Sequence, residues 1–187
     1  MFVKQSLWLA ILVALLSFSQ PVSAADAPPK MGDIAADFEL KTMAGEKVRL
    51  TEQLKTGPVV LVVLRGFPGY QCPVCNQQVG QFLGQAEKFK AAGAKVLLVY
   101  PGPAKNLNLR AEEFLKDKTV PEHFQLLVDP DYAFTKAYHL RWDAAGETAY
   151  PSTFVIQNDG KITFAKVSMT HGGRTNAAEI LKALTAR

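Results

Sequence analysis

Apolar and polar positions along the chain predict an alternation of strands and helices. Residues 58–64 form an unbroken apolar run and, with the largely apolar residues 95–100 and 124–128, predict buried strands, as in a parallel sheet. Apolar and polar residues alternate around Ala44-Gly45, and Asn158-Asp159-Gly160 is a tight-turn signal between two strands, so each stretch predicts a hairpin. The chain is therefore expected to form both parallel and antiparallel strand pairs.

Helical periodicity fills the segments between these strands. Residues 73–92 carry one apolar stripe, and residues 106–116 are amphipathic, with Leu109 and Phe114-Leu115 expected to face inward. Further helices are predicted over residues 51–54, 131–139 and 176–186. This order of elements predicts an α/β fold, a central mixed sheet with helices on both faces.

The first 24 residues have the pattern of a secretory signal peptide. Lys4 precedes an apolar run from Leu7 to Phe18, which is shorter than the ~20 residues needed to span a bilayer. Val22-Ser23-Ala24 then offers the small residues that signal peptidase accepts, so cleavage is expected after Ala24. An uncleaved membrane anchor is the alternative. We expect a periplasmic or secreted protein with no stable membrane span after cleavage.

Composition narrows the class of protein. The 187 residues are 48% hydrophobic and 20% charged, which excludes a disordered or collagen-like chain. After residues 1–24 and a flexible lead-in over 25–30, residues 31–187 are expected to form one domain. The net charge of +4 is spread along the chain without a basic stripe, so no nucleic-acid partner is expected. Two cysteines are too few for a disulfide-rich scaffold.

Those two cysteines, Cys72 and Cys75, lie between a predicted buried strand and the start of a predicted helix. The positive end of the helix dipole and the unpaired N–H groups of the first turn favour a thiolate over a thiol. Pro73 is tolerated in this turn because its missing N–H would have no partner there. Half of a zinc site and a purely structural disulfide are the alternatives. No second Cys or His pair has ligand spacing, so no metal is expected.

Three further segments resemble one family. They are residues 31–40 (MGDIAADFEL), 126–131 (LLVDPD) and 150–162 (YPSTFVIQNDGKI). In this order around a C-x-x-C pair they resemble the redoxins of the alkyl hydroperoxide reductase/thiol-specific antioxidant group, which are peroxiredoxin-like proteins of the thioredoxin-fold superfamily. The resemblance implies a thioredoxin-like fold with an extra N-terminal β-hairpin, antioxidant oxidoreductase activity and no organic cofactor.

The resemblance also implies roles for particular residues. Pro151 resembles the cis-proline that thioredoxin-fold proteins hold against the dithiol, and the backbone of Tyr150 would then pair with an extended substrate segment. Pro68 to Cys75 matches the P-x-x-x-T/S-x-x-C spacing of peroxiredoxins. On this alignment Cys75 attacks a peroxide and its sulfenic acid condenses with Cys72.

Two features depart from the peroxiredoxin pattern. Cys72 replaces the Thr/Ser hydroxyl, and Pro151 occupies the position of the arginine that polarises the peroxide. Arg65, just before the loop, could replace that arginine. Arg174 could do so as well, but we interpret it as a solvated surface charge.

A thioredoxin-like disulfide reductase is the first alternative function. In that interpretation Cys72 attacks a protein disulfide and Cys75 resolves the mixed disulfide. Phe67 and Tyr70 would flank the site. Both enzymes require an unidentified thiol reductant protein. A copper-binding chaperone is a further alternative, but His171 lies beyond the position that such a module would use and is interpreted as a loop residue.

Overall fold

Within residues 27–185, which the computed structural model describes, seven strands form a single mixed sheet in the order β2-β1-β5-β4-β3-β6-β7. β3, β4 and β5 are parallel, and the other neighbouring strands are antiparallel. Their bounds are β1 Glu39–Thr42, β2 Lys47–Arg49, β3 Val59–Val63, β4 Lys95–Gly102, β5 Phe124–Pro130, β6 Ser152–Ile156 and β7 Ile162–Val167. The interpretation of residues 1–24 as a signal peptide lies outside the described residues.

Six helices cover the two faces of the sheet in the described part of the chain. Their bounds are α1 Leu50–Leu54, α2 Pro73–Leu83, α3 Ala86–Ala91, α4 Leu107–Leu115, α5 Ala133–Ala137 and α6 Ala177–Thr185. Apolar residues of α2, α3, α4 and α6 pack on one face, and those of α1 and α5 pack on the other. The predicted α/β fold with a central mixed sheet and both hairpins is confirmed.

Strand β3 shows why the central sheet is covered on both sides. Val60 and Val62 point to the α2 face, whereas Leu61 and Val63 point to the opposite face, and all are buried. This alternation turns an unbroken apolar run into two cores, because successive side chains of a strand face opposite ways.

Two helices differ from their predictions. The predicted helix over residues 73–92 is divided, because α2 ends at Leu83, with Gly84 as its C-cap, and Gln85 has non-helical backbone angles before α3 begins. In α4 the buried residues are Leu107, Ala111 and Phe114, spaced four and three residues apart, so Leu109 falls on the outer side and is 49% exposed. The prediction that Leu109 faces inward is wrong.

The described residues contain no helix that is long and apolar enough to cross a membrane.

Candidate active site

The loop that carries the dithiol leaves the sheet where β3 ends. Gly66 has φ +69°, and a Cβ atom on it would lie 1.9 Å from the carbonyl oxygen of Pro101, the residue beside it on β4. The next residue, Phe67, donates its backbone N–H to that same oxygen at 3.0 Å. The loop is therefore directed across the carboxyl ends of two parallel strands, which is where open α/β sheets place their sites.

Cys72 and Cys75 occupy the beginning of α2, as predicted. Cys72 is the N-cap residue and Pro73 is the first residue of the helix. The Sγ atom of Cys72 accepts a hydrogen bond from the backbone N–H of Cys75 at 3.3 Å, so the thiol group takes the place of a capping oxygen. Both side chains are buried, Cys72 with 3% exposure and Cys75 with none.

Arg174 lies against both sulfur atoms. Its Nη1 is 3.3 Å from Sγ of Cys75, and its Nη2 is 3.8 Å from Sγ of Cys72. Nη1 also donates to the side-chain oxygen of Gln78 at 3.3 Å. The interpretation of Arg174 as a solvated surface charge is therefore wrong, because the segment before α6 folds back over the start of α2.

The environment makes the two thiols unequal. The hydrogen bond with the Cys75 side chain, the backbone N–H of Cys75 and the charges of Arg174 and Arg65 lower the pKa of Cys72 to about 5, against the effect of burial. Burial raises the pKa of Cys75 well above its ordinary value. Cys72 is therefore the sulfur that carries the thiolate, and a low pKa at a helix N-terminus is typical of reactive cysteines.

Arg65 is buried beside the site, and the hydrogen bonds of its guanidinium go to groups other than the two sulfurs. Its Nε donates to Glu147 at 2.6 Å, its Nη1 to the Tyr70 hydroxyl at 2.5 Å and its Nη2 to the carbonyl of Gly146 at 3.0 Å. These bonds direct the guanidinium toward the loop over residues 141–149. The guanidinium contacts with the two sulfurs are made by Arg174, and the role of Arg65 in polarising a peroxide stays a prediction.

Glu147, which the sequence analysis missed, joins two parts of the site. One carboxylate oxygen pairs with Arg65, and the other lies 2.8 Å from Nε2 of His171. The carbonyl oxygen of His171 in turn accepts a hydrogen bond from Nε of Arg174 at 2.9 Å. His171 is a loop residue, as expected, and it links the Glu147 carboxylate to the backbone that holds Arg174.

Pro151 does not have the predicted geometry, since no peptide bond within residues 27–185 is cis. The chain is extended here because its neighbours on both sides hold it. Tyr150 donates its N–H to the carbonyl of Leu140 at 2.8 Å, and the carbonyl of Pro151 accepts from the N–H of Ser168 at 2.8 Å. The carbonyl of Tyr150 accepts from the Ser152 hydroxyl at 2.8 Å. The backbone N–H of Tyr150 is therefore engaged within the chain, and its role in pairing with an extended substrate stays a prediction.

Phe67 and Tyr70 lie on the dithiol loop, one half-buried and one exposed. The Phe67 ring packs 5.0 Å from the guanidinium carbon of Arg110 on α4, and the Tyr70 hydroxyl accepts from Arg65. Gln71 connects the same loop to the core, because it accepts from the Tyr100 hydroxyl at 2.8 Å and donates to the carbonyl of Arg110 at 2.8 Å. These contacts hold the loop in one conformation.

No group of three or more His, Cys, Asp or Glu side chains that could hold a metal ion occurs between residues 27 and 185. The described contacts of His171 are with Glu147, Trp142 and Arg174.

A thioredoxin-like sheet with a dithiol at a helix N-terminus, one thiol of which has a lowered pKa, defines a thiol-based oxidoreductase. The comparisons with known proteins agree. Residues 31–165 match the family model described as AhpC/TSA family, and the chain belongs to this family of peroxiredoxin-like proteins. It is 33% identical over 167 residues to Peroxiredoxin-2C of Oryza sativa subsp. japonica, covering 84% of this chain and 99% of the relative.

Solved structures show the same relationship. The crystal structure of Peroxidoxin BcpB from Mycobacterium tuberculosis has a TM-score of 0.63 and 27% identity, covering 83% of this chain and 94% of that chain. The crystal structure of reduced Prx3 in complex with hydrogen peroxide from Vibrio vulnificus has a TM-score of 0.68 and 23% identity, covering 82% and 97% of the two chains, and shows the shared fold.

Proposed function

We propose that this protein reduces peroxides by cycling Cys72 and Cys75 between a dithiol and a disulfide, in an antioxidant role. The observation that carries the proposal is the burial of both thiols beneath Arg174, whose guanidinium contacts both sulfurs. Hydrogen peroxide is small enough to reach a sulfur with little exposure. The guanidinium would stabilise the charge that develops on the oxygens as the O–O bond breaks.

Peroxide reduction takes two steps, and re-reduction of the disulfide then completes the cycle. The Cys72 thiolate attacks one peroxide oxygen, the O–O bond breaks and Cys72 becomes a sulfenic acid, while the departing hydroxide or alkoxide takes up a proton to leave as water or an alcohol. The sulfur of Cys75 then attacks Cys72, the S–O bond breaks, and water leaves with the Cys75 proton. An external thiol reductant protein, which the sequence does not identify, returns both sulfurs to thiols by disulfide exchange.

Cys72 is placed first because of its acidity and its accessibility. Its sulfur accepts a backbone N–H and retains slight exposure, whereas Cys75 is completely buried and its pKa is raised. The peroxiredoxin spacing implies the reverse order, with Cys75 as the attacking residue. The environment of the two sulfurs favours Cys72, since the thiolate is the nucleophilic form.

Exchange with protein disulfides is the competing function, and two observations argue against it. In the dithiol state a protein disulfide has to reach Cys72, which is 3% exposed under Arg174, whereas the thiol reductant protein acts on the disulfide state. The backbone of Tyr150, which would pair with an extended substrate, is already bonded to Leu140 and Ser152. We therefore expect exchange with a protein disulfide to be slow compared with oxidation by peroxide.

Single-turnover kinetics test the proposal. The reduced protein should be oxidised by hydrogen peroxide much faster than free cysteine is, and faster than by a model protein disulfide. Cys75→Ser should trap a sulfenic acid on Cys72, detectable by mass and by dimedone labelling. Cys72→Ser should abolish fast oxidation. Peroxide oxidation no faster than that of free cysteine overturns the proposal, and a sulfenic acid trapped on Cys75 in Cys72→Ser reverses the order of attack.

We also propose that the protein acts after export, on the basis of the signal pattern in residues 1–24. Expression of the full chain in a bacterium followed by N-terminal sequencing tests this. The mature protein should begin at Ala25 and be recovered in the periplasmic or extracellular fraction. Recovery of the uncleaved chain in the cytoplasmic or membrane fraction would contradict it.

A further inference from the structure

Gln78 lies on the same face of α2 as Cys75, three residues further along the helix, and is 6% exposed. Its side-chain oxygen accepts from Nη1 of Arg174 at 3.3 Å, the nitrogen that also lies against Sγ of Cys75. Its side-chain nitrogen donates to the carbonyl of Thr175 at 3.2 Å and lies 3.4 Å from the Thr175 hydroxyl. Gln78 therefore binds both the guanidinium of Arg174 and the backbone of Thr175, the next residue in the chain after Arg174.

The hydroxyl of Thr175 also joins the segment before α6 to the sheet. Oγ1 of Thr175 lies 2.7 Å from Oγ1 of Thr153 on β6, and both threonines are buried. The residues before α6 are thus fixed between α2, through Gln78, and the central sheet, through Thr153. Because the segment from residue 168 to 176 has no regular secondary structure of its own, these side-chain bonds, together with the bond from Nε of Arg174 to the carbonyl of His171, hold Arg174 in place.

The amide is suited to this task because it is neutral. A carboxylate at this position would form an ion pair with Arg174 and would repel a neighbouring thiolate. In the part of the chain that the structure describes, no carboxylate forms an ion pair with Arg174. The positive charge of the guanidinium is therefore directed at the two sulfurs.

We infer that Gln78 is a positioning residue that holds Arg174 against the dithiol and, being uncharged, leaves the guanidinium charge available to the sulfurs. The inference rests on the proposed function, in which Arg174 contacts both sulfurs and stabilises the charge that develops on the peroxide oxygens. It does not require Gln78 to touch the peroxide. Gln78 acts through Arg174. Once Arg174 has been removed, removing Gln78 should therefore have no effect on the pKa of Cys72.

Thiolate titration by ultraviolet absorbance tests this without any peroxide. Gln78→Met removes the amide at similar volume and should raise the pKa of Cys72 by about one unit. Gln78→Glu should raise it at least as far, because the new carboxylate competes for Arg174. Gln77→Met is the matched control, since Gln77 is the exposed neighbour on the same helix, and should leave the titration unchanged.

A double-mutant cycle separates positioning from a general structural role. In an Arg174→Met background, Gln78→Met should cause no further shift. An equal shift in both backgrounds, or no shift in the wild-type background, overturns the inference. If Gln78→Met fails to fold, Thr175→Val replaces it, since it removes a hydroxyl partner of Gln78 with little change in shape. A protein that shows this coupling but does not reduce peroxide contradicts the proposed function and leaves the positioning role intact.

Discussion

Arg174 and Cys75 are in contact, with Nη1 3.3 Å from Sγ, although 99 residues separate them in the chain. The contact brings a permanent positive charge into a site where a negative charge forms on sulfur and then on oxygen. In this buried setting such an interaction is stronger than it would be in water. Arg174 is therefore the side chain whose removal should affect the chemistry most after the cysteines themselves.

Arg174→Met should slow oxidation by hydrogen peroxide at neutral pH by about a hundredfold, the magnitude typical of removing one donor to a developing oxyanion. Stopped-flow measurement of the reduced protein checks this. Arg174→Lys keeps the charge but loses the planar, two-nitrogen contact with the two sulfurs, and should give an intermediate rate. A wild-type rate in Arg174→Met would contradict the role of this residue.

Cys72 should react as a thiolate far below neutral pH. Because its pKa is lowered to about 5, alkylation of the reduced protein followed by peptide mapping should label Cys72 from about pH 5 upward. Cys75, with its raised pKa, should be labelled only in alkaline solution. Labelling of Cys72 that begins only near pH 9 would show that the site does not activate it.

The same shift predicts how the stability of the reduced protein depends on pH. Between pH 5 and 9 the unfolded chain holds a proton on Cys72 that the folded chain has released, so the free energy of unfolding should rise with pH. The contribution is complete above the ordinary pKa of 9.0 and is lost as the pH falls through 5. Urea denaturation from pH 5 to 8.5 gives the free energy of unfolding of the reduced wild type and of Cys72→Ser. The difference between the two proteins should widen with pH by up to about 1.4 kcal/mol per pH unit. A constant difference would contradict it.

The features that could be predicted from the sequence are those determined by residues close together in the chain. The buried strand β3, the turn-rich loop and the dithiol at the start of a helix follow from residues adjacent in the chain. The division between α2 and α3 was missed, because the apolar stripe continues through Gly84 although the backbone does not. Leu109 was misplaced because its helix offers apolar residues on more than one side.

The parts of the site that could not be predicted depend on contacts between distant segments. Gln78 and Glu147 are polar residues without a motif, and only the fold shows that Gln78 joins Arg174 to α2 and that Glu147 joins Arg65 to His171. The backbone of Tyr150 was assigned to substrate because the resemblance implied it, whereas residues 140, 152 and 168 bond to this stretch. A pair of interacting glutamate and arginine side chains spaced 82 residues apart leaves no signal in a single sequence.

Glu147→Gln should reduce the free energy of unfolding by about 3 kcal/mol, because it leaves the nearly buried Arg65 guanidinium without its carboxylate partner. Urea denaturation checks this value. Glu113→Gln is the matched control, since it breaks the more exposed pair with Arg110 and should change the free energy of unfolding far less. Equal losses of unfolding free energy in the two variants would show that the Arg65–Glu147 pair stabilises the protein no more than the exposed pair does.

Gly66→Ala tests how the loop leaves the sheet. The new Cβ would lie 1.9 Å from the carbonyl oxygen of Pro101, and the positive φ is unfavourable for alanine. We expect a loss of more than about 2 kcal/mol, since the clash adds to the backbone strain. Gly80→Ala is the control, because Gly80 lies within α2 with open space around it and should stabilise the protein by about 0.5–1 kcal/mol. Thermal or urea denaturation should thus show shifts of opposite sign. A Gly66→Ala protein as stable as the wild type would mean that the loop can leave β3 by another path, and the position of Cys72 relative to Arg174 would then not depend on this turn.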